Sequence, residues 1–170
     1  MKIKRVAAAI LALGLIISLF TGCGKEKKEA VQVLNDYLNH IIASEYREAY
    51  ALLSDFDKGN ISEEDFNSWR QLAGKIVSVK SFNIDSKVDV FKDYKYSGTE
   101  FGNVYGLKVD SKQDILIPDI ELSGYDGETY RIMVQQQGDE YKVLLLLSDL
   151  NETIAKYRAY IDKLRHDNTF

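Results

Sequence analysis

TYRIMVQQQGDEYKVLLLL, residues 129–147, is the stretch that sets the fold class. Thr129 to Gln136 alternates through Tyr130, Ile132 and Val134, the two-residue period of a strand with one buried face. Gly138-Asp139 turns the chain, and Tyr141 to Leu147 returns as the partner strand. The run Val143–Leu147 has no polar face, so both of its sides are expected to be covered. Asp126-Gly127 leads into this hairpin.

Strand character continues upstream. Phe101 to Asp110 puts Tyr105, Leu107 and Val109 on one face, and Ser97-Gly98 marks a turn before it. Ile76 to Ile84 and Val88 to Tyr94 are two further strand segments. Asp114 to Leu122 holds the lone Pro118 and suits an irregular or edge segment. Gly98, Gly102 and Gly106 occur singly at four-residue steps. They suit the bending of a curved sheet and do not form a phosphate loop.

Before Gly74 the period becomes helical. Ala30 to Ala43 repeats Val33, Leu34, Tyr37, Leu38, Ile41 and Ile42 at three- and four-residue steps. A second helix is expected over Glu45–Ser54, with Ser44 as its N-cap and Tyr46, Ala49, Tyr50 and Leu53 on one face. Asp55 to Asn60 breaks the pattern, with Gly59-Asn60 as a turn. Ser62 and Asp65 have capping-box spacing for a third helix, which turns Phe66, Trp69 and Leu72 inward and ends at Gly74.

Beyond the hairpin, Ser148 to His166 is amphipathic. Asp149 and Glu152 have N-cap and N3 spacing, and Leu150, Ile154, Tyr157, Ile161 and Leu164 form an apolar stripe. That stripe docks either on a neighbouring chain or on its own domain, where Val143–Leu147 needs cover. The fold class is therefore α+β. N-terminal helices pack on a curved, mainly antiparallel sheet, with a C-terminal amphipathic helix added.

Residues 1–22 read as a secretory leader. Lys2, Lys4 and Arg5 precede the apolar run Val6–Phe20, whose 15 residues fall short of the roughly 20 a membrane span needs. Phe20-Thr21-Gly22-Cys23 resembles the lipobox of bacterial lipoproteins, with Phe20 where that family usually has Leu. The resemblance implies cleavage before Cys23 and diacylglycerol on its sulfur, an anchor to the outer face of the cell membrane. Cleavage would leave 148 residues with 19 basic and 26 acidic side chains, a net of −7. Residues 23–29 then form the lipidated Cys and a short solvated tether, 30–147 the domain, and 148–170 the tail helix.

Composition narrows the chemistry further. The 170 residues carry 22 Lys and Arg against 26 Asp and Glu, which disfavours a phosphate-backbone binder, so no nucleic acid is expected as a partner. One Cys and two His leave little for a metal centre, and neither a metal nor a cofactor is expected.

Three cues recur in order: Tyr37-Leu38; then SEYREAYALLS (44–54) and ISEEDF (61–66); then Gly138-Asp139-Glu140-Tyr141-Lys142-Val143. Together they resemble the NTF2-like (cystatin-like) superfamily in its Gram-positive envelope form, including the N-terminal domain of MecA-type penicillin-binding proteins. The resemblance covers about residues 30–147. It implies a cone, with helices closing a wrapped sheet, that either holds a small ligand or is filled by side chains. The tail helix lies outside the basic pattern.

Candidate site residues divide into three groups. His40 lies beside the apolar stripe of the first helix, where a base could face a pocket; its simpler role is a boundary histidine. Tyr94, Tyr96, Phe101 and Tyr105 could together form an aromatic face for a ligand or partner, or fill the cone and a half-exposed hairpin. Asp85, Asp89, Asp93 and Asp110 are set among polar neighbours and read as solvated, as do Asp119, Glu121, Asp126, Glu128 and Asp139. No catalytic residue is assigned. These features lead to an expectation of a non-enzymatic binding module of the cell envelope, held to the bilayer through acylated Cys23 and contacting another envelope protein or peptide. The alternatives are a small-molecule receptor or isomerase/hydratase-like enzyme using the cone, and a spacer or immunity-type lipoprotein.

Overall fold

A computed structural model describes residues 24–115, 129–147 and 150–166. The expected leader, Cys23, the Pro118 segment, Asp119, Glu121, the expected Asp126-Gly127 turn, Glu128 and the expected Asp149 cap lie outside the described residues. Among those described, no helix is long and apolar enough to cross a membrane.

Helix α1 covers 24–43, so the residues expected as a tether form its first turns. Ala30, Leu34, Tyr37, Leu38 and Ile41 make its buried stripe, whereas Ile42 is 37 % exposed. The helix closes through a left-handed Ser44 at φ 61°. The Glu45 amide donates to the His40 carbonyl at 2.8 Å and the Ser44 amide to that of Ile41 at 3.2 Å, the Schellman pattern. Ser44 is therefore the C-terminal stop of α1. It does not cap the next helix, whose N-cap is Glu45 without a side-chain capping bond. Left-handed geometry costs a non-glycine residue about 1–2 kcal/mol, part of which glycine repays in unfolded-chain entropy. Ser44→Gly is expected to raise stability by about 0.5–1 kcal/mol, read as a melting temperature a few degrees higher in the full-length protein.

Helix α2 (Tyr46–Ala51) is shorter than its periodicity suggests. Leu53 instead bridges Val143: the Val143 amide donates to Leu52 O at 2.9 Å, and the Ser54 amide to Val143 O at 2.8 Å. This covers what would otherwise be an open sheet edge. The expected loop that follows is helix α3 (Asp55–Asn60), capped by Ser54. Helix α4 (Glu63–Ile76) starts as read, with Ser62 Oγ accepting from the Asp65 amide at 3.0 Å and donating to Asp65 Oδ2 at 2.7 Å. It runs through Gly74 and passes directly into the sheet.

The sheet is an antiparallel meander in the order β1 (Val77–Tyr96), β2 (Thr99–Ile115), β3 (Thr129–Gln137) and β4 (Glu140–Leu144). The two expected upstream segments are one long strand, β1, with a register break between Ile84 and Val88. Ser97 and Gly98, at φ 50° and 81°, make the tight β1–β2 turn. On one face Tyr105, Leu107, Val109, Ile132, Val134 and Val143 pack under α1 and α4. The opposite face carries a smaller cluster of Phe101, Val104 and Leu144 under Phe56 and Leu146. Beyond that cluster the face is polar, with Arg131 Nη2 3.0 Å from Asp89 Oδ2. Helix α5 (Asn151–His166) packs on α4, with Leu150 and Ile154 in the main core, Ile161 buried and Tyr157 half-buried. The tail helix thus docks on the helical layer of its own domain and not on the opposite sheet face. Leu164 contributes no described side chain.

Candidate functional site

Four elements meet around an open cleft of about 450 Å³: the ends of α1 and α4 and the starts of α2 and β1. The Schellman stop at Ser44 sends the chain back into α2 and places Tyr46 against α4. Gly74 permits that approach, because a β-carbon there would stand 3.3 Å from the Tyr46 hydroxyl. Its role is helix contact, where the sequence suggested helix termination.

The cleft wall combines Ile41, Ile42, Ser44 and Tyr46 with Arg70, Gln71 and Lys75, and continues along Val77, Ser78 and Val79. Among the described residues no Asp or Glu lines it. The Arg70 guanidinium carbon lies 5.1 Å from the Trp69 ring centre, a cation–π contact. Arg70 Nε is buried with no hydrogen-bond partner. Beneath it Tyr37 is 3 % exposed. Burial pushes the Tyr37 phenol up to about 12, against the opposing pull of the Arg70 charge.

Sequence reasoning missed a second polar centre. Asp57 is fully buried, and both its carboxylate oxygens are occupied. Oδ2 accepts from Ser54 Oγ at 2.7 Å and from the Leu145 amide at 2.9 Å; Oδ1 accepts from the Leu147 amide at 2.7 Å. Between those amides Leu146 takes a left-handed φ of 55°. The carboxylate thus seats the chain leaving β4, which otherwise has no strand partner for these amides. Burial pushes the Asp57 carboxyl above the usual carboxylate range, while the three donors pull it back. With its acceptors taken by main chain and Ser54, Asp57 is a structural clamp. Its sequence signal was available: Ser54 and Asp57 have the same spacing as Ser62 and Asp65.

The aromatic candidates do not share a surface. Tyr94 pairs with Gly102 and Lys95 with Glu100, so Phe101 is an extra, bulged residue. The bulge shifts Phe101 out of phase with Tyr105. Phe101, 3 % exposed, packs edge-on to Phe56 at 5.1 Å and beside Tyr94 at 6.1 Å. Tyr105, 1 % exposed, lies on the other face, 5.7 Å from the Tyr141 ring, and its hydroxyl donates to Glu26 at 3.2 Å. Tyr96 is exposed next to the β1–β2 turn. His40 Nδ1 lies 2.7 Å from Glu45 Oε2, doubling the backbone link between the same two residues. Its contact supports the end of α1.

No protein-family model, no curated protein and no solved structure matches this chain.

Proposed function

We propose that the chain is an exported, lipid-anchored binding module of the NTF2-like cone type, presenting its outer cleft to another component of the cell envelope. The observation that carries this reading is the filled interior. Leu34, Tyr37, Phe66, Tyr105, Leu107 and Val134 occupy the space between helices and sheet at no more than 3 % exposure. Recognition then falls to the outside, where the cleft combines apolar, hydroxyl and cationic groups.

The geometry of α1 suits such a role. Acylated Cys23 would directly precede the helix, and Glu26 is tied to Tyr105 in the core. The cleft lies at the other end of α1, about 28 Å away at 1.5 Å per residue. Anchoring one end of this helix leaves the other free to meet a partner.

The test is fractionation and crosslinking in cells. Full-length protein is expected in the membrane fraction, and Cys23→Ser should move it out of that fraction. Crosslinking should recover a specific envelope component. Recovery of nothing specific, together with turnover of a small molecule by the purified protein, would remove the reading.

A further inference from the structure

We infer that the cleft takes an extended peptide segment bearing a carboxylate, seated on Arg70 and Lys75 and lying along the outer edge of β1. This rests on the binding-module reading above and names the ligand class of the same cleft.

Charge is the first reason. The chain has an excess of acidic residues, yet among the described residues the cleft wall contains two cations and no acid. Neither Arg70 nor Lys75 has a carboxylate partner among the described residues. Arg70 stacks on Trp69 with its Nε enclosed and unpaired, so the guanidinium is held in place and short of counter-charge. A planar, fixed guanidinium is well matched to a carboxylate.

Shape is the second reason. Among the described residues β1 is the outer strand of the sheet, with β2 on one side, and its first three residues, Val77, Ser78 and Val79, line the cleft. An outer strand offers main-chain donors and acceptors to an extended chain. Ile42, one of the exposed large apolar side chains, lies in the same wall and can receive an apolar residue of the incoming segment. A small inorganic anion would use the cations alone. A peptide uses the cations, the strand edge and Ile42 together.

The experiment uses full-length protein in mild detergent on an array of random decapeptides that vary in charge. Bound peptides should be enriched in Asp and Glu and depleted in Lys and Arg. Arg70→Gln should weaken the acidic set by about tenfold or more, the size of one lost charge-assisted bond. Lys75→Glu alters only an exposed side chain and should reverse or abolish the acidic preference with the fold intact by circular dichroism. Ile42→Ser should weaken binding without changing the charge preference. A bound set without charge bias, a bias that survives both cation variants, or binding of inorganic phosphate with no peptide binding would overturn the inference. If crosslinking recovers an envelope partner but the array shows no acidic bias, the ligand class fails and the binding-module reading stands.

Discussion

Asp57→Ala is expected to lower the stability of the full-length protein by about 3–5 kcal/mol, because it orphans two half-buried amides and a buried hydroxyl at once. The donors concerned are the Leu145 and Leu147 amides and Ser54 Oγ. Asp57→Asn keeps the volume and one acceptor, but turns an amide NH₂ toward an N–H; its cost should be smaller, about 1–3 kcal/mol. Urea unfolding followed by circular dichroism measures both. A loss within about 0.5 kcal/mol of zero for Asp57→Ala would mean that the carboxylate does not hold the 145–147 segment.

The pH dependence has a definite sign. Burial raises the folded carboxyl of Asp57 above its ordinary value of 3.8. Between those two values the native state holds a proton that the unfolded chain has released. The contribution of Asp57 to stability therefore falls as pH rises through that window, with a slope of at most about 1.4 kcal/mol per pH unit. Below 3.8 both states are protonated, and that contribution is flat. Subtracting the Asp57→Asn profile from that of the parent protein isolates this slope. A difference that rises with pH across the same window would contradict the assignment.

Phe66→Ala carries the other large expected effect, about 3–5 kcal/mol. Phe66 has no exposed surface and sits between Tyr50 at 5.7 Å and Trp69 at 5.8 Å. It holds α4 to α2 one helical turn before Arg70, so the cavity would loosen the wall that aims the guanidinium. Urea unfolding should show the loss in midpoint. Phe66→Leu should cost less and keep acidic-peptide binding near that of the parent. If Phe66→Ala lost less than about 1 kcal/mol, the interior around α4 would not be tightly packed.

Features that depend on near neighbours were legible in the sequence. The helical period of α1 and α4, the Ser62 cap, the Ser97-Gly98 turn and the β3–β4 hairpin are each written within a few residues. The α+β class follows from them, since helices with one apolar stripe and strands with one apolar face must bury those surfaces together. The stripe Leu150, Ile154 and Ile161 was equally readable, but a stripe does not name its partner. Packing on α4 is a tertiary choice.

Where sequence reading and structure part, a distant residue intervenes. The second helix stops at Ala51 because Leu52–Ser54 finds hydrogen bonds on β4, and a main-chain bond outweighs the modest preference of those residues for helix. Gly74 reads as a stop, but its missing side chain serves the approach of Tyr46. Phe101 and Tyr105 read as one face, but a bulge inserts one residue and sends them to opposite sides of the sheet.

By itself the sequence determined local period, the Ser62 cap, the tight turns and overall charge, because each depends on residues adjacent along the chain or on composition alone. Only the tertiary structure decided that Asp57 is a clamp, that the interior is filled, and that Arg70 and Lys75 share a cleft that no described acid lines. Those facts depend on which groups come together from separate elements. Hydrogen bonds and desolvation act over a few ångströms of space, whatever the distance along the chain.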